Sequence, residues 1–229
     1  MLNLMRLEMK KNHLGSYVTA AIIANVAILG FMFMILVISK IEGDAGLENY
    51  PIALTVIDSF VRCVFIIFAA TLIAKLIIGE YKNKTIITAF MYPINRKKLI
   101  AAKLAIVILF TFSAIILSNI FITVIFLMIS ENFQLIPDTL TNAMIMQRIP
   151  SVVMNAVAAS SMALIPLYFG MKKYSVPTTI LSSLLIVMVV SSNTGTFSLN
   201  DIIVIPITLA IIGIVIAYLA IRNIEKVDV

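Results

Sequence analysis

The chain has 229 residues, of which 62% are hydrophobic and 12% charged, and its mean hydropathy is +1.11. Soluble domains are about half apolar and about a quarter charged, so a soluble enzyme or a disordered chain is excluded. The net charge of +6 is what the topology below demands of a membrane protein and needs no nucleic acid to explain it.

Residues 1–16, MLNLMRLEMKKNHLGS, predict a helix ahead of the first apolar run. At helical spacing Asn3, Arg6, Lys10 and His13 form one polar stripe, with Leu and Met covering much of the rest. Such a segment lies in the cytoplasmic interface as an amphipathic helix, or it is simply a positive flank that fixes orientation. Six runs then follow, each near the ~20 residues that a helix needs to cross a bilayer. They are Tyr17–Ser39, Leu54–Ile78, Leu99–Ile129, Ile149–Gly170, Val176–Ser191 and Ile202–Ile221. The third is long enough to tilt or bend, and the fifth is short enough to be partly re-entrant. The first run is too long for a signal-peptide core and no A-x-A-like site follows it, so it is expected to remain as an anchor. Alternating ten-residue segments of a β-barrel are absent. The fold class is therefore an all-α integral membrane protein. It forms a single transmembrane domain over 1–229, with an interfacial helix at 1–16, six spans within 17–221 and a cytoplasmic tail at 222–229.

Basic residues set the orientation. With both ends in the cytoplasm, the inner side carries Arg6, Lys10, Lys11, Lys75, Lys82, Lys84, Arg96, Lys97, Lys98, Lys103, Lys172, Lys173, Arg222 and Lys226. Only Lys40, Arg62 and Arg148 are left towards the outside, as the positive-inside rule requires. The outer connections, KIEGDAGLENYP, ENFQLIPDTLTNAMIMQR and SSNTGTFSLN, are too short to fold as domains. The second has room for a short amphipathic helix. Pro166 and Pro177 bracket a tight inner turn, and Pro206 is placed to bend the sixth span.

The chain has no catalytic or metal-binding residue set of its own. None of its eight glycines precedes Lys, so G-x-x-x-x-G-K-[ST] fails. One His and one Cys, His13 and Cys63, make a protein-built zinc site implausible, and Cys63 within an apolar run reads as a small buried residue. The energy for any transport must come from another chain or an ion gradient, and the chain itself binds no cofactor.

The longest inner connection holds the most informative stretch, GEYKNKTIITAFMYPINRKK, Gly79 to Lys98. Thr85 to Tyr92 predicts a short helix ended by Pro93. Ile86, Ile87, Phe90 and Met91 share one face of it. That face is too short to cross a membrane and too apolar for water. Read from the residues alone, it lies on lipid, with its flanking bases near anionic headgroups, or it docks into a groove on a partner.

Glu80, Thr85, Pro93, Arg96 and Lys103 together resemble the E…T…P…R…K signature that follows the second span in type 2 ATP-binding-cassette permeases. The order of elements over the whole chain is similar too, although Lys84 stands where many members carry Gly. The resemblance implies that the hairpin is a coupling helix, with Glu80, Thr85, Ile86, Ile87, Phe90, Met91, Pro93 and Arg96 engaging an ATPase subunit. It also implies two copies of that ATPase, which would carry the ATP and magnesium, and a second permease, as a homodimer or close heterodimer. The setting it implies is the bacterial plasma membrane. Chain length looks most like exporters of lantibiotics or of amphipathic peptides such as phenol-soluble modulins, so the implied cargo is a hydrophobic peptide or an antibiotic.

Polar residues within the spans have two readings each. Asp58 and Arg62 stand four apart near the outer end of span two, either as an intrahelical ion pair or as a gate at the outer mouth. Lys75 is placed to snorkel to the inner interface. Asn25, Asn119 and Asn155, with Ser113, Ser118, Ser160 and Ser161, either hold helices together or meet substrate. Asn25, Met32, Phe33 and Met34 of span one are candidates for an apolar substrate path, against the simpler reading of the methionines as lipid-facing. The leading expectation is an export permease. The alternatives are a non-transporting immunity or sensor subunit that binds a peptide, and a gradient-driven carrier. The carrier has no lone intramembrane carboxylate in its favour.

Overall fold

A computed structural model describes residues 2–11, 15–42, 50–83, 96–133, 142–191, 193–194, 197–198 and 204–223. Helices dominate it: α1 (Leu2–Lys11), α2 (Gly15–Glu42), α3 (Tyr50–Lys82), α4 (Arg96–Phe133), α5 (Asn142–Met162), α6 (Ile165–Lys173), α7 (Val176–Ser191) and α8 (Val204–Asn223). Between α7 and α8, β1 (Asn193–Thr194) and β2 (Phe197–Ser198) form a two-residue antiparallel ladder, with Asn193 opposite Ser198. The expected short helix over Thr85–Tyr92 and the expected amphipathic helix in the connection after α4 lie, wholly or largely, outside the described residues.

Four helical stretches are long and apolar enough to cross a membrane: Gly15–Ile38, Tyr50–Lys82, Lys97–Ser130 and Arg148–Lys173. Two shorter apolar helices, Val176–Ser191 and Pro206–Arg222, complete the bundle. These are multi-pass membrane helices. At 38 residues, α4 is ~57 Å long at 1.5 Å per residue, so it extends well beyond a ~30 Å hydrocarbon core.

The central helix is α3, which packs against α4, α5 and α7. Its inward positions, Ala53, Ile57, Val61, Phe65, Ile66, Ala69, Leu72 and Ile73, are buried, at the three- and four-residue spacing of one helical face. Towards the start of α3 they join Met32 and Leu36 of α2 and Ile115, Ile122 and Phe126 of α4. Towards its end they join Ile100, Leu104 and Val107 of α4 and Leu164 and Leu167 beyond α5. By contrast, α2 lies at the periphery against α3 and α4, with Ile22, Ile23, Val26 and Val37 exposed. Apolar exposure of that extent is the mark of a lipid-facing surface.

Two local departures from a plain α-helix matter. The first is in α3, where Ala74–Ile78 is a π-turn and the Gly79 N–H bonds to the Ala74 carbonyl five residues back. The second interrupts the fourth run, which reads as continuous in the sequence. There α5 ends at Met162 and α6 begins at Ile165. Pro166 accounts for the break, because it has no N–H to donate and its ring would collide with the Met162 carbonyl. Tighter bonds replace the ladder, Leu164 N–H to Ser161 O at 3.1 Å and Leu167 N–H to Leu164 O at 3.1 Å. Ala163 and Leu164 at the break are fully buried, as non-helical backbone at membrane depth must be. Pro206, expected to bend span six, lies in the first turn of α8, where a missing N–H has no intrahelical partner to lose.

Gly213 of α8 packs directly on this break. A Cβ at position 213 would come within 2.0 Å of the Ser161 carbonyl oxygen, so only glycine admits the close approach of α8 to α5. At the far side of α6, Tyr174 turns the chain with φ 45°, in the left-handed region.

Candidate functional site

The hairpin between α3 and α4 is rooted in a buried charge cluster. Lys103, the eighth residue of α4, is 0% exposed. Its Nζ donates to Oε2 of Glu80 at 2.5 Å and to the Leu76 carbonyl at 2.9 Å. Oε2 of Glu8, on α1, stands 3.6 Å away. Glu80 and Glu8 are themselves buried. An ammonium at this depth is tolerated because carboxylates and a backbone oxygen replace its water. The π-turn contributes directly: Leu76 lies inside it, where the widened ladder lets a side chain engage a carbonyl.

The tight turn between α6 and α7 meets the same root. Tyr81, one residue beyond Glu80, is buried and stacks on Tyr174 with ring centroids 5.8 Å apart and planes at 24°. A cavity of about 380 Å³ opens beside it, lined in part by Thr71, Lys75, Glu80, Asn83 and Ile180. Lys75 is exposed, and its ammonium sits 4.9 Å from the Tyr17 ring centroid, in cation–π range.

Of the hairpin residues singled out above, Glu80 and Lys103 are brought together as a pair. Thr85, Ile86, Ile87, Phe90, Met91 and Pro93 lie outside the described residues, and Arg96 is described only as the first residue of α4. Glu8 is the member that pattern reading missed. Its signal was present: at about 100° per residue, Glu8 lies ~200° from Arg6, so a carboxylate interrupts the apolar side of α1.

A second polar cluster sits near the opposite end of α3. Arg62 Nε is 3.3 Å from Asp58 Oδ2, and both side chains are buried. The intrahelical ion pair expected from their spacing is present, and it is joined by a third residue. Asn155 of α5 donates through Nδ2 to Asp58 Oδ2 at 2.9 Å. Arg62 also reaches Ser59 Oγ at 3.3 Å. Nearby, Arg148 caps the start of α3, donating to the Leu54 carbonyl at 2.7 Å and to Pro51 O at 3.4 Å. Asp58 Oδ1 has no hydrogen-bond partner among the described residues.

The four candidate path residues of α2 do not share a face. Met32 is fully buried in the core, Phe33 is partly buried against it, and Met34 is 57% exposed, as three consecutive positions on a helix must diverge. Asn25 lines a separate groove of about 700 Å³ between α2 and α4, with Ile22, Leu117, Phe121 and Val124. Its Oδ1 is buried without a hydrogen-bond partner among the described residues.

Comparison with known proteins assigns this architecture a place. The model of a family described as "ABC-2 family transporter protein" matches residues 4–191, a stretch that holds most of α1, all of α2 to α7 and both polar clusters. An uncharacterized protein of Bacillus subtilis (strain 168), YcbO, is 44% identical over 227 residues, covering 99% of this chain and all of that protein. No solved structure matches.

Proposed function

Since the chain belongs to the ABC-2 transporter family, whose members form the membrane component of ATP-driven transporters, we propose that it is the permease subunit of an exporter powered by a separate ATPase. In this reading α7 and α8 both cross the bilayer, giving six spans with both termini in the bacterial cytoplasm. The segment Thr85–Tyr92 is a coupling helix. Ile86, Ile87, Phe90 and Met91 enter a cleft on the ATPase, and Arg96 pairs with acidic groups at its rim. Two ATPase copies, which hold the ATP and magnesium, serve a permease homodimer. The cargo is a hydrophobic or amphipathic peptide.

The observation that carries the reading is the Glu80–Lys103 pair. It joins the first and last members of the signature across the two roots of the hairpin, so a push on the hairpin reaches α3 and α4 together. The membrane-facing chemistry agrees, since the described helices offer an apolar bundle with buried polar ties. The 700 Å³ groove beside Asn25 is apolar enough for a greasy segment.

The test is co-expression with a separate ATP-binding-cassette ATPase subunit, followed by ATP hydrolysis in lipid vesicles with candidate peptides. Hydrolysis that rises with a peptide, together with outward movement of that peptide, supports the reading. A chain that sequesters peptide without any ATPase bound to it is instead an immunity or sensor subunit.

A further inference from the structure

Lys103 is held by three helices at once. Glu80 and the Leu76 carbonyl come from α3, Lys103 itself from α4, and Glu8 from α1. An ammonium has three donors and no acceptor. Two are used in short bonds within the hairpin root, and the Glu8 carboxylate at 3.6 Å completes the charge on the remaining side. With Lys103 0% exposed, solvent and salt do little to screen that attraction.

The α1 helix needs such a fixing. Ten residues are too few for a helix to hold its shape or place by propensity. A helix that merely floated in the interface would turn its carboxylate to water. Instead Glu8 is 7% exposed, while its neighbour Leu7 is 65% exposed. Met5, three residues before Glu8 and so on the same side, packs into the core cluster around Ile100 and Leu104. The face that a surface helix would give to the membrane is here given to α4.

We propose that Glu8 is a positioning residue for the hairpin: through Lys103 it locks α1 to the ends of α3 and α4, so that all three move as one body. What the lock is for rests on the proposed docking of an ATPase at Thr85–Tyr92; the lock itself does not. Residues of α1 thereby influence docking although they do not belong to the docking segment.

The test has two arms in the full chain, reconstituted in phosphatidylglycerol-containing nanodiscs. In the first, spin labels are placed at the exposed positions of Leu7→Cys and Leu109→Cys in a Cys63→Ser background. The parent gives one narrow distance, and Glu8→Gln broadens it. In a Lys103→Met background Glu8→Gln adds less broadening than it does in the parent, because the Lys103 ammonium that it addresses is already gone. Leu7→Gln, carrying its α1 label at Arg6→Cys instead, leaves the distance narrow. An unchanged distance in Glu8→Gln overturns the lock, and Glu8→Gln alone decides this if Lys103→Met fails to fold.

In the second arm, immobilised permease captures the co-expressed ATPase. Glu8→Gln raises the Kd several-fold while Leu7→Gln does not. Equal affinities for parent and Glu8→Gln overturn the positioning role. If the parent captures no ATPase, the docking reading fails, and the label distances still decide the lock.

Discussion

Asn155 of α5 donates a 2.9 Å hydrogen bond to the same carboxylate oxygen of Asp58 that Arg62 approaches at 3.3 Å. A single oxygen thus ties an intrahelical ion pair to a neighbouring helix. Removing the Asp58 charge takes a carboxylate away from the buried Arg62 guanidinium, and losing one partner of a buried pair costs about 3–5 kcal/mol. Asp58→Asn is therefore expected to lower the melting temperature more than the double change Asp58→Asn with Arg62→Gln. Circular dichroism melts in lipid nanodiscs check this, and equal melting temperatures would contradict it.

Gly213 and Gly30 make a matched contrast. A Cβ at 213 meets the Ser161 backbone, whereas one at 30 meets nothing within 4 Å. Forcing atoms into a packed interface costs ~1–3 kcal/mol, and the clash is with backbone, which cannot rotate away. Gly213→Ala should destabilise by at least that much. Gly30→Ala should be neutral or up to ~1 kcal/mol stabilising, from helix propensity. Thermal unfolding of the two variants side by side tests the close approach of α8 to α5.

Tyr174 combines strain with a useful contact. Its φ of 45° is costly for any side chain but glycine, while its ring stacks on Tyr81. Tyr174→Ala loses the stack and keeps the strain, whereas Tyr174→Gly loses the stack and relieves the strain. The glycine variant is expected to be more stable than the alanine variant by about 1 kcal/mol. If alanine matches glycine in unfolding measurements, the left-handed turn is not held as described.

The docking assignment is tested within the hairpin segment. Phe90→Asp, or charge reversal by Arg96→Glu, should abolish ATPase co-purification or uncouple ATP hydrolysis from transport, while the permease keeps its melting temperature. An ATPase that stays bound and substrate-stimulated in both variants would sink the assignment.

What could be read without coordinates was whatever depends on local composition. Apolar runs of membrane-crossing length located the helices, because burial in lipid is decided segment by segment. Val176–Ser191 has the same bounds in the sequence reading and in α7. Four-residue spacing was enough to pair Asp58 with Arg62, since one turn of helix brings those positions together. The Pro166 break was legible in principle, yet proline in a membrane helix is often tolerated, and only the tertiary structure shows the helix ending at Met162 with Gly213 packed against Ser161.

Long-range pairing was hidden for a physical reason. Glu8, Glu80 and Lys103 are separated by 72 and 23 positions, and no periodicity within one helix links them. Their meeting depends on how α1, α3 and α4 settle against each other, and on a π-turn that no residue pattern announced. The amino-acid sequence by itself determined that this is a membrane-embedded helical chain with a basic, partly apolar hairpin. Only the tertiary structure decided which charges are neutralised inside it, because the energy of a buried ion depends on neighbours that the folded bundle alone brings within a few ångströms.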